Sequence, residues 1–563
     1  MKRRDFITLA SVGAGALVFE RAAGYSIANA NEIPADLVIA GGSLGGCAAA
    51  LSALKNGLSV ILTEETDWIG GQLTSQGVPP DEHQWIETHG STKTYRLLRS
   101  NIRAYYNQHY ALTADAMAHP NFNPGNGLVS ALCCEPRVAE IVLHQMLAPY
   151  IHSKKLTLLR GYVITAADVT GDRVRSLKAV NQFSGKSTIL AAPYFIDATE
   201  LGDLLPLTGT EYVTGAESKK EKGELHAPEK ADPDNQQAFT ICFAMDHING
   251  ANNVIDKPDD YDHWRNFIPQ LTPPWPGKLL DLTGINPQTL TTRTLGFDAT
   301  GKSTGDKMNL WNYRRILDKS NFKPGSFQSD ITLVNWPQND YLTGNLIGVS
   351  KGDKQKHING ARQLSLSLFY WLQTEAPRAD GGTGWPGLRL RGDVLGTKDG
   401  LAKSPYIRES RRIKAVFTVL EEHVGAQNRV LVARKEKAGK AADFYDTVGT
   451  GYYRIDLHPS TAGNNYIDVE SLPFQIPLGA LLPQRMENLL PACKNIGTTH
   501  ITNGCYRLHP VEWSIGEAAG LLVAFAIRTK VLPRFVREKS GLLTEFQHLV
   551  RSSGMDMHWP LSG

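Results

Sequence analysis

The sequence predicts an α/β fold: a parallel sheet assembled from distant stretches of the chain, with an α+β domain inserted between them. Three observations carry this. Residues 36–65, "DLVIAGGSLGGCAAALSALKNGLSVILTEE", read as strand, glycine turn, helix and a second strand that ends in acid. A further apolar strand closes on Asp197-Ala198-Thr199. Far down the chain, "ENLLPACKNIG" and "VEWSIGEAAGLLVAFAI" add one more strand and a helix of small residues.

The elements follow in order. "MKRRDF" is basic, and "ITLASVGAGALVF" is an apolar run too short to span a bilayer, so no stable membrane span is expected. "ANA" at 28–30 offers small residues to a signal peptidase. Arg3-Arg4 followed by Asp5, Phe6 and Ile7 resembles a twin-arginine signal, against the alternative of an ordinary Sec signal. Residues 1–30 are therefore expected to export a folded, cofactor-loaded protein to the periplasm or medium. Of the net charge of +3, Lys2, Arg3, Arg4 and Arg21 against Asp5 and Glu20 supply +2 (four minus two). The remainder is near neutral, which argues against a nucleic-acid partner. None of the six cysteines shows C-x-x-C spacing, so no metal site is expected and free thiols are. A Cys493–Cys505 bridge stays open.

The strand 36–40 leads into Gly41-Gly42-Ser43-Leu44-Gly45-Gly46. Against G-x-G-x-x-G this matches at Gly41 and Gly46, with Ser43 at the middle position. The glycines serve a tight turn, close approach of backbone to a pyrophosphate, and close packing of helix on strand. Ser43 is the smallest departure and adds a hydroxyl. The Ala-rich helix ends at Gly57, and the next strand ends at Glu64, placed to accept from ribose hydroxyls. The unit is Rossmann-like and built for an adenine dinucleotide, NAD or FAD.

Later stretches favour FAD. Gly70-Gly71-Gln72 follows the ribose acid, as in flavoproteins of the glutathione-reductase type, and Asp197 marks a second strand end of that type. The helix from about Glu512, with Gly516, Ala518, Ala519 and Gly520, is expected to approach a flat ring and to set its N-terminal dipole against a reduced flavin. Taken together, "AGGSLGGCAAA", "TEETDWIGGQLTSQG", "CEPRVAEIVLHQML", "FIDATELGDLL", "YIRESRRI", "FQIPLGALLP" and "NGCYRLHPVEWSIGEAAG" resemble the FAD-dependent oxidoreductase family, some members of which carry the name xanthan lyase. The resemblance implies FAD contacts at Gly41, Gly42, Ser43, Gly46, Glu64, Gly71, Gln72, Asp197 and the stretch 507–518, including Gly516, Glu517 and Ala518.

The expected organisation is an FAD-binding domain over 34–215 with an inserted β-meander, a substrate domain over 216–464, a return to the FAD-binding domain over 465–530, and a tail over 531–563. Residues 214–236 read as a charged surface loop, "DGGTGWPGLRLRGD" as a lid, and "ARQLSLSLFYWLQTEA" and "ESRRIKAVFTVLEEHV" as helices. Candidate catalytic residues are His83, in the acid-rich "GVPPDEHQW", and His500, Arg507 and His509 beside the last helix. Arg408, Arg411 and Arg412 read as either a buried ion-pair network or a carboxylate clamp. Tyr445, Tyr452, Tyr453, Trp371 and Trp385 are aromatic surface for a sugar, or core. The leading function is oxidation of a small polar substrate, with a carbohydrate-derived alcohol as the favoured class, and an electron acceptor that the sequence does not name. The alternatives are a fumarate-reductase-like enzyme, a polysaccharide lyase and an electron-transfer subunit.

Overall fold

A computed structural model describes residues 32–433 and 439–560; residues 1–30, expected to be an export signal, lie outside the described residues. Five strands form the central sheet: β1 (Leu37–Ala40), β2 (Val60–Glu64), β3 (Leu156–Arg160), β4 (Tyr194–Asp197) and β5 (Leu489–Pro491). Their order is β5-β4-β1-β2-β3 and every pairing is parallel. β1, β2 and β4 are buried along their whole length, which is why they read as unbroken apolar runs.

Helix α1 (Leu44–Lys55) connects β1 to β2, and α2 (Pro136–His152) precedes β3 with Pro136 in the first turn, where a missing N–H costs nothing. α3 (His500–Tyr506) and α4 (His509–Thr529) follow β5. α4 lies directly on α1: a Cβ on Gly516 would stand 2.0 Å from Gly45 O, and one on Gly520 2.3 Å from Ala49 O. Among the described residues α4 is the one helix long and apolar enough to cross a membrane, and it is a core helix, 94% buried in its apolar window. The meander is present as antiparallel strands Tyr162–Thr170, Arg173–Asn181 and Ser187–Ala191, with Glu32–Pro34 added parallel at the edge.

A second, antiparallel sheet carries strands Arg315–Leu317, Ile331–Val334, Phe243–His247 and Leu388–Leu390, in that order. Its two faces are separated by the period of two. Phe243 and Met245 pack with Trp311, Trp336 and the long helix Lys351–Thr374, whereas Cys242 and Ala244 belong to the core shared with α1 and α4. Residues 441–457 also contribute Ala441, Val448, Ile455 and Leu457 to that shared core.

Four expectations are corrected. "ESRRIKAVFTVLEEHV" is not a helix: Arg412–Ile413 pairs as a short strand with Tyr212–Val213, and only Glu421–Val424 is helical. Its apolar spacing suits a helix, but its arginines are drawn to buried acids on other segments. The 214–236 stretch is not wholly surface, because Glu217 and Glu224 are buried. The "lid" contains a sheet strand, Leu388–Leu390, and a buried Trp385. Residues 531–563 are not a tail: helices Pro533–Glu538 and Ser540–Ser552 bury Val536, Leu543, Phe546 and Val550. The six cysteines are free and buried, so Cys493 and Cys505 are not bridged.

Candidate functional site

The turn after β1 is closed by contacts that only glycine permits. Gly41 has φ +96°, and a Cβ there would sit 2.3 Å from Ala198 O. One on Gly46 would sit 2.2 Å from Gly41 O. Ser43 caps α1, its Oγ accepting from Gly46 N at 3.1 Å and leaving its O–H free to donate elsewhere. Gly42 N donates to Glu64 Oε2 at 3.0 Å and Gly45 N to Glu512 Oε1 at 3.1 Å. The N–H groups of Ser43 and Leu44 are given no acceptor by the described residues. Two free donors at a helix start are an arrangement that could hold an anion.

Gly71 (φ +50°) comes up beside those donors, where a Cβ would stand 3.1 Å from Ser43 Cα. Gln72 Nε2 donates to Glu512 Oε2 at 2.7 Å and to Arg507 O at 3.1 Å, tying the segment to α3 and α4. Glu64 accepts from Gly42 N, Thr66 N and the Thr66 hydroxyl, and burial followed by the neighbouring Glu65 carboxylate raises it to about 8. Asp197 is turned onto its own strand end, accepting from Thr199 N, Thr199 Oγ1 and Leu204 N, and burial raises it to about 7. The small-residue face of α4 meets α1 and not an open ring site, which corrects that expectation: Gly516 abuts Gly45, Ala518 is buried, and Glu517 accepts from Thr94 and Trp513.

Beyond Gln72 the chain runs to Asp81, and a second cluster of polar groups gathers there. Arg314, between a short helix and the edge strand of the second sheet, places Nη1 3.3 Å from Asp81 Oδ1. The pair is buried yet makes no hydrogen bond: Arg314 Nε and Nη1 and Asp81 Oδ1 all lack partners. Burial opposes the Arg314 charge, and the Asp81 carboxylate more than restores it. Tyr313, Tyr406 and Tyr453 surround the pair and share its electrostatics. Arg507 Nη1 donates to Tyr406 OH at 2.7 Å, and its Nη2 to Asp456 Oδ2 at 3.0 Å. Arg408 is 3.0 Å from Asp340. Each guanidinium thus has one carboxylate, and His458 lies between two of these acids, 2.6 Å from Asp340 and 3.7 Å from Asp456.

The predicted histidines are not brought together. His509 lies beside the cluster, but both ring nitrogens are committed to backbone: Nδ1 accepts from Asp81 N at 3.1 Å and Nε2 donates to Val78 O at 3.2 Å. Burial lowers it to about 4, with Asp81 and Glu82 pulling the other way, so it is a neutral clamp on the 78–81 segment. His83 contacts Gly90 O among the rings of Trp85, Tyr452 and Trp559. His500 pairs with Glu409 at 2.7 Å, in a buried network where Arg412 bonds Glu409 and Glu217. Of the expected catalytic set, only Arg507 presents a side-chain charge to the cluster. Arg411 holds Asp203 and Leu201 O, so the three arginines form ion pairs and not a clamp. Trp371 and Trp385 are core, and Tyr445 is exposed.

Burial alone would raise Glu409; His500 and Arg412 outweigh it and hold its carboxyl at about 2, against an ordinary 4.5. A depressed carboxyl stabilises the fold above its unfolded value, and this is lost as pH falls from about 4.5 towards about 2. Glu409→Gln is expected to cost ~3–5 kcal/mol by leaving Arg412 and His500 underpaired. A denaturant melt checks it, together with a smaller loss of stability between neutral and acid pH than in the unchanged protein.

A parallel sheet completed from far down the chain, with two free donors at the start of its first helix, defines a dinucleotide-binding protein of the Rossmann-like class. The chain belongs to the FAD-dependent oxidoreductase family, whose sequence profile matches residues 36–550. FAD is its cofactor, and the protein is a flavin-dependent oxidoreductase. No curated protein matches it. Among solved structures it is similar to p-nitrophenol 4-monooxygenase from Pseudomonas putida, at 9% identity over 93% of this chain and 85% of that one, with a TM-score of 0.37. It is also similar to quinol fumarate reductase from E. coli, at 11% identity over 93% and 74%, with a TM-score of 0.30. L-proline dehydrogenase from P. horikoshii is matched at 13% identity over 33% of this chain and only 24% of its own length, with a TM-score of 0.18.

Proposed function

We propose that the chain oxidises a small, neutral, polyhydroxylated substrate, a carbohydrate-derived alcohol, in the cluster around Asp81 and Arg314. The donors and glycines of the turn fit the cofactor: Ser43 and Leu44 N–H would hold its pyrophosphate, Gly71 would allow its close approach, and Glu64 would accept from its ribose. FAD, when bound, supplies a two-electron acceptor. The chain's residues do the rest. Arg314 offers unpaired N–H groups to a substrate oxygen, and Asp81 offers an acceptor to the hydroxyl proton beside it. Tyr406, fixed by Arg507, and Tyr453 supply aromatic faces and polar tips.

The observation that carries this reading is the unsatisfied Arg314–Asp81 pair. Burying charged groups without hydrogen bonds costs several kcal/mol, so a pair left in that state is matched to a ligand with both donors and acceptors. A fumarate-reductase-like role would need surplus positive charge, and Arg408, Arg411 and Arg412 each have an acid partner. Anaerobic mixing of the yellow protein with sugars, polyols and hydroxy acids tests it. Loss of flavin absorbance with neutral polyols supports the proposal, and bleaching by carboxylates alone overturns it.

His509→Ala is expected to leave the pH dependence of flavin reduction unchanged, because a histidine held neutral on backbone groups moves no proton. An altered acidic limb would restore it as a base. Export of the folded holoprotein through the twin-arginine route belongs to the same proposal. Changing Arg3-Arg4 to Lys-Lys keeps the charge and should strand the protein in the cytoplasm; export at the unchanged level would assign it to the Sec route.

A further inference from the structure

We propose that FAD binding to this chain is coupled to proton uptake at Glu512, so that affinity for the cofactor falls as pH rises through neutrality. The inference rests on FAD occupying the turn, as set out above. Glu512 stands in the first turn of α4, and its side chain reaches across to the first turn of α1. Oε1 accepts from Gly45 N at 3.1 Å, next to the free N–H groups of Ser43 and Leu44. Oε2 accepts from Gln72 Nε2 at 2.7 Å and lies 3.9 Å from Lys494 Nζ. The chain has therefore set a carboxylate of its own against the donor row on which the dianionic pyrophosphate is to sit.

The charged groups facing Glu512 come from three further segments. Lys494, after β5, is its one cation among the described residues, and that cation is shared with Glu200, to which Lys494 is hydrogen-bonded. Glu200, after β4, brings an oxygen within 2.4 Å of where a Cβ on Gly71 would be, so it too borders the seat. Glu64, at the end of β2, closes the other side of the turn through Gly42 N. Three carboxyls and one ammonium thus ring the start of α1, and Glu512 and Lys494 are fully buried. Two more negative charges in that ring are strongly opposed unless a proton is taken up.

Glu512 is the group that takes it. Burial, partly offset by Lys494 and reinforced by Glu200, already raises it to about 7, so a neighbouring dianion tips it to the neutral form. Glu64, by contrast, is raised by burial to about 8 in spite of its three donors, Gly42 N, Thr66 N and Thr66 Oγ1, so it is already neutral where Glu512 titrates and takes no part in that step.

The test is the dissociation constant of FAD from the full chain, read by fluorescence of released flavin from about pH 6 to about pH 9. One proton taken up per FAD predicts that the constant rises above neutrality, approaching tenfold per pH unit. Glu512→Gln should flatten that rise and bind FAD more tightly than the unchanged protein at the alkaline end. Glu64→Gln should keep the rise. Glu200→Gln, which removes the neighbour that raises Glu512 and leaves Lys494 to it, should move the onset of the rise lower on the pH scale. That variant carries the test if Glu512→Gln fails to fold. A yellow protein whose affinity ignores pH, a rise that survives in Glu512→Gln, or a rise abolished by Glu64→Gln overturns the proposal. A colourless protein that binds no FAD at any pH overturns the seat itself.

Discussion

Gly41→Val is expected to give a protein without flavin. The left-handed backbone at this position is costly for any side chain, and most of all for a β-branched one. The added Cβ would meet Ala198 O and Thr199 N, the backbone that ends β4, at 2.3 and 2.6 Å. Neither strand can retreat, because β1 and β4 are hydrogen-bonded along Leu37–Ala40. The turn must therefore open, and the row of donors at Ser43 and Leu44 loses its aim. Absorbance near the flavin maximum, compared with protein absorbance after gel filtration, should fall to background. A folded Val variant as yellow as the unchanged protein would remove the turn from the cofactor's seat.

Arg314→Met is expected to abolish reduction of the flavin by substrate, by about 100-fold or more, while leaving FAD in place. Loss of a charged hydrogen-bonding partner from a buried polar site commonly costs ~2–5 kcal/mol, which at 1.4 kcal/mol per decade spans that factor. The stability change should be sizeable as well, ~3–5 kcal/mol, because one partner of a buried pair is removed. Arg314 makes no hydrogen bond that the fold would lose, and methionine fills similar space; the cost is the unpaired charge left on Asp81. The double change Arg314→Met with Asp81→Asn should recover stability without recovering reduction. Recovery of both would make the pair structural.

The first βαβ unit was legible because it is local. Turn geometry, helix and strand lie within thirty residues, and Gly41, Gly46 and Glu64 each have a steric or electrostatic reason that needs no other part of the chain. The cluster around Arg314 was only half legible. Asp81 stood out in an acid-rich stretch, but Arg314 in "LWNYRRIL" carries no spacing signal, and its partner is on another segment. Tyr406 and Asp456 are hidden for the same reason. The histidines misled because residue type says nothing of what the ring nitrogens face; for His509 they face Asp81 N and Val78 O. The 409–424 segment failed as a helix because Arg412 and Glu409 are satisfied by Glu217 and His500, contacts that no local pattern encodes.

The strand β5 pairs with β4 although the two are separated by most of the second core. A ribosome releases β1, α1, β2 and β4 long before β5 and α4, so the early half emerges with Gly45 and Ala49 still uncovered. Pairing of such high contact order forms slowly. Cofactor capture is thereby postponed to the end of synthesis, when β5 and α4 close over β4 and α1. A nascent chain stalled before residue 489 should not retain FAD.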